Sequence, residues 1–504
     1  LLSARVRVFV SWDMKHALSL ILVSAALGAA ALSFTSVTTT ESAVWKPGAV
    51  VSLSNKAKGT VVETLADSLE FGRWGTCFNE RGYDAISMLP DSAQASVMRR
   101  VFSPDGELRI NMGRIPMNAN DYARDWYSCD EVPGDFALEH FNIDRDREAI
   151  IPFIKRAQAL CPGMTFWASP WCPPSWMKIN ADYPVRSDRT NTMDPRKDAL
   201  LFAGMPDGNR DDYKAPKGIF PPRLSETDYF IMDSRYLQAY ADYFGRFIDA
   251  YAAEQIPIDM VMYQNEAWSY TPYPGCAWTP EGIVRFNAEY LVPTLARTHP
   301  GVEVYFGTIN TNRFDVIDSV LSDSLMSASV KGVGLQWEGG QILSRLRDKY
   351  PHLRYVQTEG ECGWGSFDWK AAEHTFERIN HYLGNGAQDY TFWNFILADD
   401  GESGWGWKQN ALIRVDSAKG TCTYTPEYYA VRHYAEFIPS GSRIVARSGG
   451  DTPVLVAVTP SGAHVVVAAN LGDKKAVVSA PIGPKYLNIT LKPHTLTTFS
   501  DALE

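Results

Sequence analysis

Between about Arg73 and Ser417 the chain alternates short apolar runs with helical stretches eight times, and no other feature limits the fold as strongly. The candidate strands are Gly75–Phe78, Leu108–Pro116, Met164–Ser169, Ile258–Asn265, Val302–Thr308, Gly332–Trp337, Leu353–Glu359 and Tyr390–Phe395. Most are buried-type runs that end in polar residues. Helical segments separate them, among them Arg145–Leu160, Ser234–Glu254, Glu281–Arg297 and Trp369–Leu383. In the first of these, Ile150, Ile151, Ile154, Ala157 and Leu160 recur near the helical period. Eight strand–helix units predict an α/β chain closed into a (β/α)8 TIM barrel. The competing arrangement is a doubly wound open sheet. Its glycine-rich phosphate turn is missing, because Gly332-Val333-Gly334 has the wrong spacing.

The character changes from about Tyr424. Arg443–Arg447, Pro453–Val458, Ala463–Ala469, Ala476–Ser479 and Tyr486–Leu491 are short alternating runs broken by Gly, Pro, Asn and Asp. They read as an appended antiparallel β-sandwich. Ala43–Glu63 is also strand-like and could complete it. The expected division is residues 1–35 as an upstream extension and signal peptide, 36–70 as N-terminal strands of the sandwich, 71–423 as the catalytic barrel, and 424–504 as the C-terminal sandwich. Ile179–Phe230, rich in Asp, Arg, Pro and Asn, is the main insertion, read as a partly ordered lid or rim over the strand ends.

Met14-Lys15-His16 precedes an uncharged apolar run, Ala17–Leu32, with small residues Ala29, Ala30 and Ala31 near its end. This is the pattern of a secretory signal peptide. The run is short of the roughly 20 residues that span a bilayer, so no stable membrane span is expected. An exported protein meets an oxidising environment, where Cys129, Cys161 and Cys172 could pair, although the total of 7 Cys leaves at least one unpaired within the chain.

The formal net charge of −10 argues against nucleic acid as a partner, which would require basic clusters. Of the 15 Trp, none lies beyond Trp407, so the barrel is Trp-rich and the sandwich Trp-poor. Flat indole faces suit the C–H faces of sugars, but they also suit a core. No metal or cofactor is implied: the chain lacks H-E-x-x-H, paired C-x-x-C, an Asp-rich calcium loop, G-x-S-x-G and the P-loop motif.

The chemistry concentrates at two strand ends. Tyr263-Gln264-Asn265-Glu266 closes the fourth run and Gln357-Thr358-Glu359 the seventh. Barrel sites are built at the C-terminal ends of strands, which would place both carboxylates in one cleft. A carboxylate at the end of an apolar strand is costly without a task or a partner. Two opposed carboxylates are the equipment of a glycosidase, one protonated to release the leaving oxygen and one ionised to attack the anomeric carbon. Asn265 could hydrogen-bond a sugar 2-hydroxyl beside them.

At these residues the sequence resembles glycoside hydrolase family 30. The likeness is carried by Phe71-Gly72-Arg73-Trp74-Gly75, by Arg114-Ile115-Pro116-Met117 with Asn120-Asp121, and by Ala168-Ser169-Pro170-Trp171 with Pro174-Ser175-Trp176-Met177-Lys178. Phe437-Ile438-Pro439 looks like the family's return to the sandwich. The resemblance implies Glu266 as acid/base and Glu359 as nucleophile. It also implies that Arg114, Asp121, Trp171 and Asn265 line the sugar pocket, with Gln336 and Trp337 in place of the family's sixth-strand His-Trp and Trp393 on the eighth strand. Ala267 stands where the family usually has Pro, and Glu361 adds a carboxylate two residues beyond Glu359.

The implied activity is that of an exported retaining β-glycosidase acting on a carbohydrate β-glycoside, exo-acting on β-glucosides and glucosylceramidase-like. The insertion and Trp268-Ser269-Tyr270 would close one end of the cleft. The alternatives are an endo-β-1,6-glucanase, a β-xylosidase or xylanase, a β-fucosidase, and a non-catalytic carbohydrate-binding protein on the same scaffold.

Overall fold

The computed structural model of the chain describes residues 32–185, 228–269, 271–360, 362–404 and 406–502. Eight parallel strands close into a barrel in chain order: Arg73–Cys77, Met112–Met117, Thr165–Pro170, Met260–Met262, Glu303–Ile309, Gly332–Gln336, Arg354–Glu359 and Asp389–Phe392. The eighth pairs back onto the first, Tyr390 opposite Trp74 and Phe392 opposite Thr76. Both faces are covered, so the strands run buried along nearly their whole length. Inside, Met112, Trp167, Met260, Met262, Tyr305 and Val356 form an apolar plug beneath the strand ends. Outside, a larger core joins the strands to the helices.

Local chemistry fixes the helix ends. Asn79 accepts from the Gly82 amide at the start of Glu80–Ser87, and Asp368 accepts from the Ala371 amide at the start of Trp369–Asn385. Gly386, at φ +99, ends the latter in a left-handed cap where a side chain would meet the Arg347 guanidinium. Two expected helices are interrupted. Arg145–Leu160 is split at Ala149 into Asp144–Glu148 and Ile150–Leu160, and Glu281–Arg297 carries a π-helical stretch, Arg285–Leu291, before Pro293. The fourth strand is also shorter than its apolar run, so Asn265 and Glu266 lie on the loop beyond it.

Two sheets face each other in the second unit. One contains Ser33–Thr40, Thr495–Ser500, His464–Asn470, Val454–Val458, Arg443–Ser448 and Glu63–Glu70; the other contains Lys485–Leu491, Ala476–Ile482 and Thr60–Val61. Phe34 is fully buried in the core between them, beside Val456, Val466 and Ile489. The ordered fold therefore begins before residue 36. The other sandwich boundary also moves. Pro426–Ala435 lies against Trp369–Asn385 as the helix after the eighth strand, so this helix packs with the barrel although it falls inside the expected 424–504 unit, and the first sandwich strand after it is Arg443–Ser448, where the sequence places it. Thr495–Ser500 is a further strand, which its Thr-rich run, without apolar alternation, does not mark. All seven cysteines are free thiols, so the expected pairing among Cys129, Cys161 and Cys172 is not formed.

The proposed signal segment, residues 1–31, and most of the insertion, residues 186–227, lie outside the described residues. The ends of the insertion are nevertheless joined: the Ile179 amide donates to Tyr229 O at 2.9 Å and the Ile231 amide to Met177 O at 2.9 Å. No described helix is long and apolar enough to cross a membrane.

A single imidazole links the barrel to both ends of the chain. His433 is fully buried, with Nδ1 2.8 Å from Thr498 Oγ1 and Nε2 2.9 Å from Thr39 Oγ1. Burial pushes its pKa down to about 3, with the neighbouring Arg432 acting in the same direction. The folded state holds this imidazole neutral, so stability is lost as pH falls from about 6.5 toward 3, where only the unfolded chain takes up the proton. We expect His433→Gln to flatten the pH dependence of unfolding free energy across that window by about 1.4 kcal/mol per pH unit. Denaturant titrations of both proteins between pH 4 and 7 would show parallel slopes if this is wrong.

Candidate active site

Because every barrel strand runs the same way, their C-terminal ends share one mouth. Arg114 rises from the second strand, fully buried, with its guanidinium 4.8 Å above the Trp167 ring of the plug. A charge there must be met on every side. Nη1 donates to Glu359 Oε2 at 2.6 Å and to Thr358 O at 3.2 Å, while Nη2 donates to Asn265 Oδ1 at 2.7 Å and to Ser169 Oγ at 3.1 Å. One side chain thus ties together the ends of the third, fourth and seventh strands. Its cation also lies over the faces of Trp171 at 4.2 Å and Trp393 at 5.6 Å, and these two indoles pack 5.0 Å apart.

The two glutamates are held differently. Glu359 ends its strand in the ion pair with Arg114, and Trp337 Nε1 donates to its other oxygen at 3.3 Å. Glu266 accepts from Gln336 Nε2 at 2.9 Å, and its Oε2 has no hydrogen-bond partner among the described residues. Burial pushes the Glu266 carboxyl up to about 7, aided by the charge of Glu359. Burial raises Glu359 too, but there the Arg114 cation opposes it. The proton of the pair therefore belongs on Glu266. Both Glu266 and Trp337 hold φ +49, a left-handed conformation disfavoured for side chains of this size. Such strain persists only where surrounding contacts impose it, here the Glu266 amide bonded to Thr308 O and the Trp337 carbonyl bonded by Tyr382 Oη.

Asn265 presents one end of its amide to the cleft. Its Oδ1 is taken by Arg114 and by Thr308 Oγ1 at 2.9 Å, which leaves Nδ2 as the group it can offer. Gln336 is oriented the same way, its Oε1 accepting from Thr358 Oγ1 at 3.0 Å. Asp121, nearly buried, is raised well above the usual carboxylate range by burial and by the charges of Glu359 and Glu266. All nine residues singled out in the sequence therefore meet at one mouth: Arg114, Asp121, Trp171, Asn265, Glu266, Gln336, Trp337, Glu359 and Trp393.

Other contributors were not foreseen. Cys77, Tyr122, Tyr273, Cys362 and Trp407 belong to the same aromatic cluster as Trp171 and Trp393. They come from loops, or from a strand end without a polar signal, and only Cys362, three residues after Glu359, had a sequence cue. Lys178 is buried and donates to Tyr183 O at 2.7 Å and Gly275 O at 2.8 Å, so it joins the neck of the insertion to the loop after Glu266. Trp268, expected to close the cleft, instead lies in the outer core, edge-on to Phe306. Tyr270 and Glu361 lie outside the described residues. Among the described residues no group of three or more His, Cys, Asp or Glu side chains could hold a metal ion.

Opposed glutamates of unequal proton affinity, floored by indoles and flanked by an amide donor, suit acid-assisted displacement at a sugar carbon. Comparison with known proteins points the same way. Residues 72–188 and 231–438 match the profile described as the Glycosyl hydrolase family 30 TIM-barrel domain, and the break falls within the insertion. Lysosomal acid glucosylceramidase of Mus musculus is 26% identical over 415 residues, 76% of this chain and 72% of that protein. Endo-1,6-beta-D-glucanase of Neurospora crassa is 22% identical over 426 residues, 80% of this chain and 77% of that protein. The crystal structure of SrfJ from Salmonella typhimurium superposes with a TM-score of 0.78 at 19% identity, covering 94% of this chain and all of that one. The profile takes in most of the barrel and both strand ends that carry the glutamates, and the chain belongs to glycosyl hydrolase family 30, a family of retaining O-glycosidases.

Proposed function

We propose that the chain is an exo-acting β-glucosidase in which Glu266 is the acid/base and Glu359 the nucleophile. The observation that carries this assignment is the asymmetry of the pair. Glu359 is ion-paired to Arg114 and Glu266 is not, so one carboxylate is kept ionised and the other protonated in the same cleft. In the first step Glu359 attacks the anomeric carbon while Glu266 gives its proton to the departing oxygen. The covalent glycosyl-enzyme carries no carboxylate charge at Glu359, which lowers the proton affinity of Glu266 and readies it to activate water for the second step. Asn265 Nδ2 suits the sugar 2-hydroxyl, and Asp121, with the indoles of Trp171 and Trp393, suits the far hydroxyls and the ring face. Glucose as the bound sugar rests on the names of the relatives. Those names also support a second reading, cleavage within β-1,6-glucan. Export rests on residues 14–32 alone, and finding the protein in the cell-free or periplasmic fraction is its test.

Three outcomes are expected. Glu266→Ala should lower kcat on an aryl β-glucoside by roughly 10²–10⁴-fold, and azide should restore turnover as the β-glycosyl azide. Glu359→Ala should be at least as damaged, on the order of 10⁴-fold, with azide giving the α-glycosyl azide. Exchanged product configurations would reverse the two roles, and inversion at the anomeric carbon by the native enzyme would refute double displacement. The kcat/KM profile should fall above an apparent pKa near 7, because Glu266 must be protonated to act as the acid. Glu266→Gln should remove that alkaline limb when measured on a substrate with a good leaving group. A panel of aryl β-glucoside, xyloside, fucoside and galactoside, together with β-1,6-glucan, separates the sugars. Random internal cleavage of the glucan would overturn exo action.

A further inference from the structure

Beyond the sugar held at the glutamates, one group of side chains is unexplained. Trp364 is 76% exposed, more than any other large hydrophobic side chain among the described residues. It does not hang free. Its ring lies parallel to that of Trp407, 5.5 Å between centroids and 4° between planes, so one face is backed by an indole and the other is left to water. Trp407 in turn meets the buried Tyr273 edge-on at 6.3 Å. Tyr273 and Trp407 belong to the cluster that contains Trp171, Trp393 and Trp337, and Trp337 donates to Glu359. A continuous run of rings therefore leads from the glutamates to the surface.

The turn that presents Trp364 is fixed in place. Gly363 and Gly365 flank it at φ +58 and +75, and side chains at these positions would strike Asn410 and the Asp400 carbonyl. Asn410 is held by the buried Glu427 at 2.7 Å, and its own amide donates to Cys362 O at 2.5 Å. Cys362 Sγ is 4.0 Å from Glu359 Oε1, so the same short loop begins at the candidate nucleophile. Five residues of chain reach at most about 17 Å, which keeps Trp364 within a few sugar lengths of it.

We propose that Trp364, backed by Trp407, is an outer subsite that stacks the second pyranose ring of an oligosaccharide substrate, the ring joined to the one held at the glutamates. The surroundings favour a sugar over the hydrocarbon of a glycolipid. The platform is a single indole face, and charged groups lie on the neighbouring turn: Asp400 and Lys408, which is paired to Asp400 at 2.5 Å and to Glu402 at 3.6 Å. A pyranose needs such a flat face with hydroxyl partners at its edges, whereas an alkyl chain needs a continuous apolar surface. This inference rests on the glycosidase reading above.

The test compares Trp364→Ala and Trp364→Phe with the native enzyme. The substrates are a β-glycosyl fluoride, a disaccharide and a trisaccharide of the sugar that the panel selects, and the corresponding octyl β-glycoside. With the fluoride the leaving group is one atom, so activity there reports the glutamates alone. Trp364→Ala should leave the fluoride unchanged and lower kcat/KM on both oligosaccharides by roughly 5- to 10-fold, mainly through KM, with Trp364→Phe recovering most of it. Equal losses on fluoride and oligosaccharides would mean a purely structural role. No loss on either, or a loss confined to the octyl glycoside, would overturn the sugar subsite. A native enzyme inactive on every fluoride would instead overturn the glycosidase reading itself.

Discussion

The guanidinium of Arg114 sits in the centre of a barrel, sealed from water, with an apolar plug below it and indoles around it. A charge so placed is tolerable only when its donors are all but consumed, and removing one partner strands the other. The acceptors come from Glu359 and Thr358 on the seventh strand, Ser169 on the third and Asn265 on the loop after the fourth. Much else depends on this arrangement. The ion pair favours charge on Glu359 over Glu266, the bond to Asn265 Oδ1 decides which end of that amide faces the cleft, and the indoles of Trp171 and Trp393 lie against the cation that also holds the carboxylate.

Chemistry and stability are kept at separate places in the molecule. The strand ends carry strained and desolvated groups: Glu266 and Trp337 at positive φ, and two buried carboxylates near one another. The cost is carried by a well-packed outer core and by the sandwich, which ties both ends of the chain to the barrel. Trp74 on the first strand donates to Ile438 O at 2.9 Å, and His433 on the last barrel helix bonds the first and last sandwich strands. The insertion attaches through a narrow neck at residues 178–185 and 228–231, and Lys178 fastens that neck to the loop after Glu266.

The barrel was legible because its strands are buried on both faces and end in polar residues, a pattern that survives without any knowledge of neighbours. Glu266 and Glu359 were legible for a related reason: a carboxylate at the end of an apolar run is expensive and so stands out. Errors fell where tertiary packing overrode a local pattern. Trp268 follows Glu266 closely in sequence, yet the left-handed backbone at Glu266 is followed by a loop that turns the indole back into the core. The break at Ala149 and the π-helical stretch before Pro293 lie inside runs whose periodicity continues past them. Thr495–Ser500 is buried along its whole length, although its Thr-rich run carries no apolar alternation.

By itself the sequence determined the fold class, the order of the strands and the placement of Glu266 and Glu359 at strand ends, since each depends on hydrophobic period or on the cost of one polar residue at a strand end. Only the tertiary structure decided that Arg114 chooses Glu359 over Glu266, that Asn265 turns its nitrogen to the cleft, and that Tyr122, Tyr273 and Trp407 join the aromatic cluster of the site. Those outcomes depend on which loops meet above the barrel and on which donors are already consumed. Hydrogen-bond competition of that kind is settled between residues more than 100 positions apart, and no local pattern records it.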